Sequence, residues 1–257
     1  MIKTVVSMSR RTDPHWHHDK LIPVLERRYP PEKVHTLVVW TKFPETLVSR
    51  PYRDVLSRYD QVYCHITITG LGGTELEPNV PRPQEALGAL AALAEFVGSP
   101  ARVRVRPDPL VVLCRQGKIL TNITAAETII RQAARLGIAV FSTSFMETYP
   151  KVTARLKKHG FEIVPLSQQD RRRVIRGLAQ SAAGESAALH TCAVPGFPPS
   201  KCIDGELLAR LHPAKLPCRA DKAAGQRPLC GCTHSVDIGW YSMTCRSGCL
   251  YCYARPG

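Results

Sequence analysis

The sequence predicts an α/β protein whose strands form a parallel sheet covered by helices. Three observations carry that expectation. Short apolar, β-branched runs alternate with amphipathic stretches from residue 3 to about 165. The runs are mainly apolar rather than strictly alternating, as strands buried on both faces are. The stretches between them are long enough for the crossover helices that parallel neighbours require.

The runs fall at residues 4–7, 34–40, 61–69, 101–105 and 138–145. Helical patterns occupy 20–28, 45–57, 84–97, 125–136 and 151–159. Pro44 and Pro83 sit where a first-turn proline is tolerated, because that N–H has no partner inside the helix. Thr124-Ala-Ala-Glu127 fits a capping box, and Gly137 and Gly160 fit C-terminal caps. Beyond 166 the pattern changes. A basic helix over 168–181, a loop over 182–187, a short strand over 188–192, a proline-rich turn and a helix over 205–211 lead into a cysteine-rich tail. Three segments follow from this: 1–165 as β/α units, 166–235 as a second metal region, and 236–257 as a last strand with its cysteine loop.

Polar residues collect where the strands end: Ser9-Arg10-Arg11-Thr12-Asp13, Thr41-Lys42, Thr67-Ile-Thr69, Arg104-Val-Arg106-Pro107-Asp108 and Ser142-Thr143-Ser144. Sites on parallel sheets gather at that edge. Wet loops explain part of the pattern, but not two arginines on a strand as apolar as the fourth.

At 257 residues, with 44% hydrophobic and 22% charged residues, the chain is expected to be globular. The most apolar stretch, 87–98, is too short to span a bilayer, and the N-terminus lacks the apolar core of a secretory signal. The expected location is therefore the cytoplasm, with no membrane partner. There, ten cysteines argue for metal rather than disulfides. Only Cys64 and Cys114 precede residue 190, and eight lie in the last 66 residues. The net charge of +14 admits a polyanionic partner, an anionic small molecule or plain solubility. Arg171-Arg172-Arg173 with Arg176 is the densest basic run and reads as a solvated helix face.

Cys245, Cys249 and Cys252 have x3–x2 spacing and suit three irons of a four-iron cluster, leaving one iron without a protein ligand. A zinc knuckle is the rival and would need a fourth ligand, for which Cys230, Cys232 or His234 is near. Upstream, Cys192, Cys202, Cys230 and Cys232 make a second set of four, with Cys218 as the spare. Either a fully ligated cluster or structural zinc fits them. His15-Trp16-His17-His18 reads as a surface cluster, because adjacent helical residues point apart. Gly70-Leu-Gly72-Gly73 reads as a turn and Cys64 as a small core residue.

Cys245-Arg-Ser-Gly-Cys249-Leu-Tyr251-Cys252-Tyr-Ala resembles the cluster motif of radical S-adenosylmethionine (radical SAM) enzymes, in the form found in the spore photoproduct lyase group. The segments Glu75-Leu-Glu77-Pro78-Asn79 and Arg104-Val-Arg106-Pro107-Asp108 are similar to parts of that group's barrel. The whole chain is similar to an uncharacterised microbial family that carries the triplet at its C-terminus, with Ser9–Asp13, Trp40-Thr-Lys42, Cys202-Ile-Asp204 and Asp237-Ile-Gly239 as landmarks.

The resemblance implies a partial TIM-type (β/α)6 radical SAM barrel, circularly permuted, with a cysteine-rich C-terminal region. It implies a [4Fe–4S] cluster on the triplet that reductively cleaves S-adenosyl-L-methionine (SAM) to a 5′-deoxyadenosyl radical for hydrogen abstraction, and a second, auxiliary [4Fe–4S] cluster. Tyr251 is expected beside the adenine. Thr41, Lys42, Thr69, Arg104 and Arg106 are expected around the ribose and carboxylate of SAM, the arginines suiting the carboxylate best. A one-electron donor such as flavodoxin or ferredoxin is implied, with an unknown substrate that includes nucleotides or nucleic acid among its classes. The alternative is a non-catalytic, zinc- or iron–sulfur-stabilised module that binds nucleic acid.

Overall fold

The computed structural model describes residues 3–254; residues 1–2 and 255–257, at the ends of the first and third sequence segments, lie outside the described residues. Ten strands form: β1 (Thr4–Met8), β2 (Val34–Thr41), β3 (Val62–Thr67), β4 (Val103–Arg106), β5 (Val112–Arg115), β6 (Lys118–Thr121), β7 (Val140–Thr143), β8 (Glu162–Ile163), β9 (Ala188–Thr191) and β10 (Val236–Ile238). Seven of them make one sheet in the order β10-β1-β2-β3-β4-β7-β9, and every pairing is parallel. The last strand in the chain thus lies beside the first.

One expectation about the barrel is corrected: the sheet has seven strands rather than six, because Ala188–Thr191 pairs with Val140–Thr143 and extends it. The sheet is open: among the described residues, β9 and β10 are the edges and do not pair with each other.

Strand alternation divides the core. Leu37 and Val39 of β2, Cys64 and Ile66 of β3, and Val105 of β4 face the helices, packing with Leu21, Leu25, Leu90, Leu93 and Ile130. Val38 and Tyr63 face the other way, where Cys202, Ile203, Leu208, Cys230 and Cys232 cover them. By the same alternation, Trp40, His65, Arg104 and Arg106 lie on this second face. Contacts agree: His65 stacks on Trp40 with ring centroids 3.9 Å apart, and its Nε2 lies 2.7 Å from the Cys202 carbonyl.

Several helices differ from expectation. The pattern over 45–57 gives two short helices, Pro44–Val48 and Tyr52–Leu56, since Pro51 has no N–H to continue the ladder. That over 84–97 likewise divides into Pro83–Gly88 and Leu90–Phe96. The basic helix runs on to Gly184, so residues 182–184 are helical rather than loop. The capping box does not form. The helix Ile123–Arg135 starts two residues earlier than the pattern implied, and Glu127 pairs with Arg131 at 2.9 Å instead. A small antiparallel sheet, β6-β5-β8, was not anticipated. Gly137 and Gly160 do adopt positive φ, at 84° and 76°, as C-terminal caps.

Asn122, which precedes that helix, ties the two sheets together. Its Oδ1 accepts from Val111 N at 2.8 Å, and its Nδ2 donates to the carbonyls of Thr69 (2.8 Å) and Pro109 (2.9 Å). The side chain is buried, so no water replaces these partners. Asn122→Ala is expected to cost about 3 kcal/mol of stability, since three buried polar groups lose their partner. Chemical denaturation measures this, and a loss under about 1 kcal/mol would contradict the account.

Candidate metal and cofactor site

The C-terminal ends of β1, β2, β4 and β10 open into a cavity of about 580 Å³. Seven cysteines line it: the triplet Cys245, Cys249 and Cys252, and the upstream set Cys192, Cys202, Cys230 and Cys232. Thr41, Lys42, Arg106 and Tyr251 line it too. Cys218 packs beside the upstream set but does not line the cavity. Among the described residues, no group of three or more His, Cys, Asp or Glu side chains is arranged to hold a metal ion.

The triplet loop is fixed from several sides. Leu250 N donates to Leu76 O at 3.0 Å, and Asn79 Nδ2 donates to Arg246 O at 2.8 Å. Arg155 Nη1 donates to the carbonyls of Leu250 and Cys252, both at 2.9 Å. Trp16 Nε1 donates to Ser247 Oγ at 3.1 Å, and His17 Nε2 lies 2.9 Å from Thr244 O. This corrects the reading of His15–His18 as a surface cluster: a 3-10 turn over Pro14–Trp16 directs Trp16 and buried His17 onto the loop that carries the cysteines. The turn at residues 70–77 supplies the rest. A Cβ on Gly72 would lie 1.9 Å from Pro81 O, so the chain can close there only on glycine.

Lys42 connects this loop to the sheet. Its Nζ donates to Glu77 Oε1 at 2.7 Å and to Tyr251 OH at 3.0 Å. Burial opposes its charge, but Glu77 and the nearby Cys249 and Cys252 outweigh that and hold the ammonium above its ordinary range. Glu77 is buried, and its Oε2 has no partner among the described residues. Burial raises the Cys249 and Cys245 thiols, with Lys42 drawing Cys249 back.

Asp13 holds the strand end beneath. It accepts from Thr41 Oγ1 (2.8 Å), Lys42 N (2.8 Å) and His15 N (3.1 Å). Burial pushes its carboxyl up to about 6 despite these donors.

Arg106 serves the upstream set. It donates to Cys202 Sγ at 3.0 Å, pairs with Asp108 at 2.5 Å, and lies 5.0 Å over the Trp40 ring. Burial works against its charge, yet Cys202 and Asp108 hold it above its usual range. A hydrogen bond from Cys232 and the charges of Arg106 and Arg104 favour the Cys202 thiolate over the burial that resists it. Cys192 meets Arg227 Nη2 at 3.1 Å. Two expected residues lie outside the cavity lining. Arg104 donates to Lys201 O at 2.8 Å beneath the cysteine segment, and Thr69 accepts from Leu71 N at 3.1 Å inside its turn. Asp13 and Trp40 line the cavity, and Glu77 lies behind it, paired with Lys42; none was among the expected site residues, although the polar run at 9–13, Trp40-Thr-Lys42 and the Glu77-Pro-Asn segment were signals present in the sequence.

The family model described as "Domain of unknown function (DUF1848)" matches residues 23–254. The chain belongs to the DUF1848 family. The DUF1848 match takes in both cysteine sets, Lys42, Glu77 and Arg106, whereas Asp13 precedes it. No curated protein matches the chain. Among solved structures, the crystal structure of Streptococcus suis SuiB bound to precursor peptide SuiA is similar at 9% identity and a TM-score of 0.40, covering 75% of this chain and 49% of that one. The DUF1848 chain spans about half the length of SuiB. No helix among the described residues is long and apolar enough to cross a membrane.

Asp13 yields a test with a definite sign. Its carboxyl titrates near 6 when folded and near 3.8 when unfolded. Between those values the folded chain binds more protons, so this group makes stability fall as pH rises from about 4 to about 6, by about 3 kcal/mol in total. Asp13→Asn is expected to lack that fall. Denaturation of both proteins across this range gives the difference, and a difference that is flat or of opposite sign would show that Asp13 is not so perturbed.

Proposed function

We propose that this cavity is a radical SAM site. On this reading Cys245, Cys249 and Cys252 hold one [4Fe–4S] cluster, and Cys192, Cys202, Cys230 and Cys232 hold an auxiliary one. The observation that carries it is that seven cysteines line one cavity with Lys42, whose part-buried ammonium joins the triplet loop through Tyr251 and Glu77 through an ion pair. The residue types suit the groups, though among the described residues the thiols are not gathered into a ligand set. Soft thiols line the cavity, basic side chains offset their charge, and the orphaned Glu77 Oε2 is an acceptor awaiting a donor such as an amino group. When bound, cluster and SAM supply a reductively generated carbon radical that abstracts hydrogen from substrate.

The chain's own residues have separable tasks. Glu77 Oε2 accepts from the SAM amino group, and Lys42 keeps a third N–H for its carboxylate. Tyr251, whose hydroxyl Lys42 fixes, would lie beside the adenine. Thr41, turned toward Asp13, maintains the strand end rather than binding ribose directly. Arg106, engaged by Cys202 and Asp108, belongs to the auxiliary set rather than to the SAM carboxylate. The parallel pairing of β10 with β1 supports a permuted order, with the strand that leads into the triplet added last. The reductant is a one-electron donor of the flavodoxin or ferredoxin type.

Anaerobic purification tests this. About eight irons with matching sulfide per chain, and SAM cleaved to 5′-deoxyadenosine on reduction, are expected. Stoichiometric zinc without iron would sink the proposal. Cys249→Ala should lose about four irons and all SAM cleavage, while Cys218→Ala keeps both clusters. Retained cleavage in the first, or lost iron in the second, would show that the ligands are misassigned.

Glu77→Gln should keep the iron yet bind SAM about tenfold or more weakly, because a charge-assisted hydrogen bond is lost. Equilibrium dialysis reads this directly. Unchanged affinity would remove Glu77 from the SAM contacts.

A further inference from the structure

The mouth of the cavity carries an unusual surface. Seven large apolar side chains are exposed among the described residues, and five come from segments that flank this mouth: Tyr149, Leu229, Trp240, Tyr241 and Tyr253. Four of the five are aromatic, each 42–55% exposed. Tyr149, Tyr241 and Tyr253 line the cavity itself. Exposed apolar groups scattered singly need no explanation, whereas a cluster at the opening of a cavity marks a contact surface.

The chemistry of the rim narrows the partner. Its rings are flat and half free: those of Tyr149 and Tyr253 have centroids 6.2 Å apart and are tilted by 46°, so neither covers the other. Positive charge stands among them. The Arg11 guanidinium lies 5.0 Å over the Tyr241 ring. Arg10 and Arg11 share one carboxylate, Asp237, at 3.5 Å and 3.2 Å, which leaves one of the two charges uncompensated. Arg246, on the triplet loop, is exposed. The whole chain carries a net charge of +14.

We propose that this rim docks a single-stranded nucleic acid, whose bases stack on the tyrosines and Trp240 while its phosphates meet Arg11 and Arg246. A polyanion answers the charge, and unpaired bases answer the rings. Duplex bases are already stacked and present no free face. An acidic peptide would satisfy the charge alone. The inference names the substrate class of the proposed radical SAM site and rests on that reading: the cavity beneath the rim would receive the nucleotide to be modified.

The test uses the full chain, purified anaerobically, with fluorescently labelled oligonucleotides of about twelve nucleotides, a span within the range of single-strand sites. Fluorescence anisotropy should show single-stranded binding that weakens steeply with salt, and weaker binding of the duplex. Replacing Tyr149 and Tyr241 together by alanine should weaken it about tenfold or more, whereas phenylalanine at both positions should retain it. Both side chains are at least 44% exposed, so the fold does not depend on them. No single-stranded binding at low salt would overturn the proposal. So would polyglutamate competing as well as the oligonucleotide while the alanine variant binds unchanged. Iron is measured in the same preparations. Iron present without oligonucleotide binding defeats this inference alone; oligonucleotide binding by a zinc protein supports it and defeats the radical SAM reading.

Discussion

A lysine buried among thiols needs a counter-charge, and Lys42 finds it in Glu77 at 2.7 Å. The rest of the site is arranged around that pair. Lys42 comes from the end of β2, Glu77 from the turn after β3, and Tyr251, which also contacts Nζ, from the triplet loop. Buried ion pairs add little net stability, but breaking one leaves an uncompensated charge that costs several kcal/mol. The pair thus joins the end of β2 to the turn after β3, and Tyr251 brings the triplet loop to the same ammonium. Gly72 and the close approach of Pro81 hold Glu77 in reach from below.

The same electrostatic demand recurs on the other side of the cavity, with a different cation. Cys202 is buried, and the Cys232 thiol, Arg106 and Arg104 favour its thiolate over the burial that opposes it. Arg106 is in turn fixed by Asp108 and by the Trp40 face. Asp108 also accepts from Ser144 Oγ, so the ends of β4 and β7 are joined through it. Each cysteine set thus has its own buried base: Lys42 at the triplet and Arg106 at the upstream set. Trp40, near the end of β2, and Lys42, just past it, lie two residues apart, which makes this strand end the common wall of both.

The sequence disclosed what periodicity and spacing can carry. β1, β2 and β3 were legible because they are buried and mainly apolar, and β4, β7 and β9 from shorter runs that recur between helical patterns. β5, β6 and β8 were not: they are four, four and two residues long and partly exposed, too short for a period to register. Both cysteine sets were legible because thiol spacing is itself a chemical statement. That all seven thiols share one cavity was not, since it depends on the cover segment folding back over Val38 and Tyr63. Arg104 and Arg106 illustrate the limit. Alternation puts them on one face, yet one lines the cavity and the other sits a pleat lower, against the Lys201 carbonyl. A sequence gives the face but not the depth. His17 failed differently: it was judged as part of a helical run, and a 3-10 turn redirected it.

The cover segment shows why metal and fold are joined in this chain. Residues 192–235 contain one helix, Gly205–Leu211, and otherwise irregular backbone. Their buried cluster against the sheet counts Cys202, Cys230 and Cys232 among its few members, beside Ile203 and Leu208. Three thiols are a thin apolar core, and one of them favours its charged form. Such a segment gains little from burial alone, and its attachment relies on polar contacts: Arg104 to Lys201 O, His65 to Cys202 O, and Gln61 Nε2 to Leu208 O at 2.9 Å. On the proposed reading, ligation supplies what the core lacks, because metal binding to a set that forms only on folding adds directly to folding free energy. The upstream cysteines then have a structural task that is independent of any part in the reaction. They clamp the cover over Trp40 and Arg106 and so define the far wall of the cavity that the triplet faces.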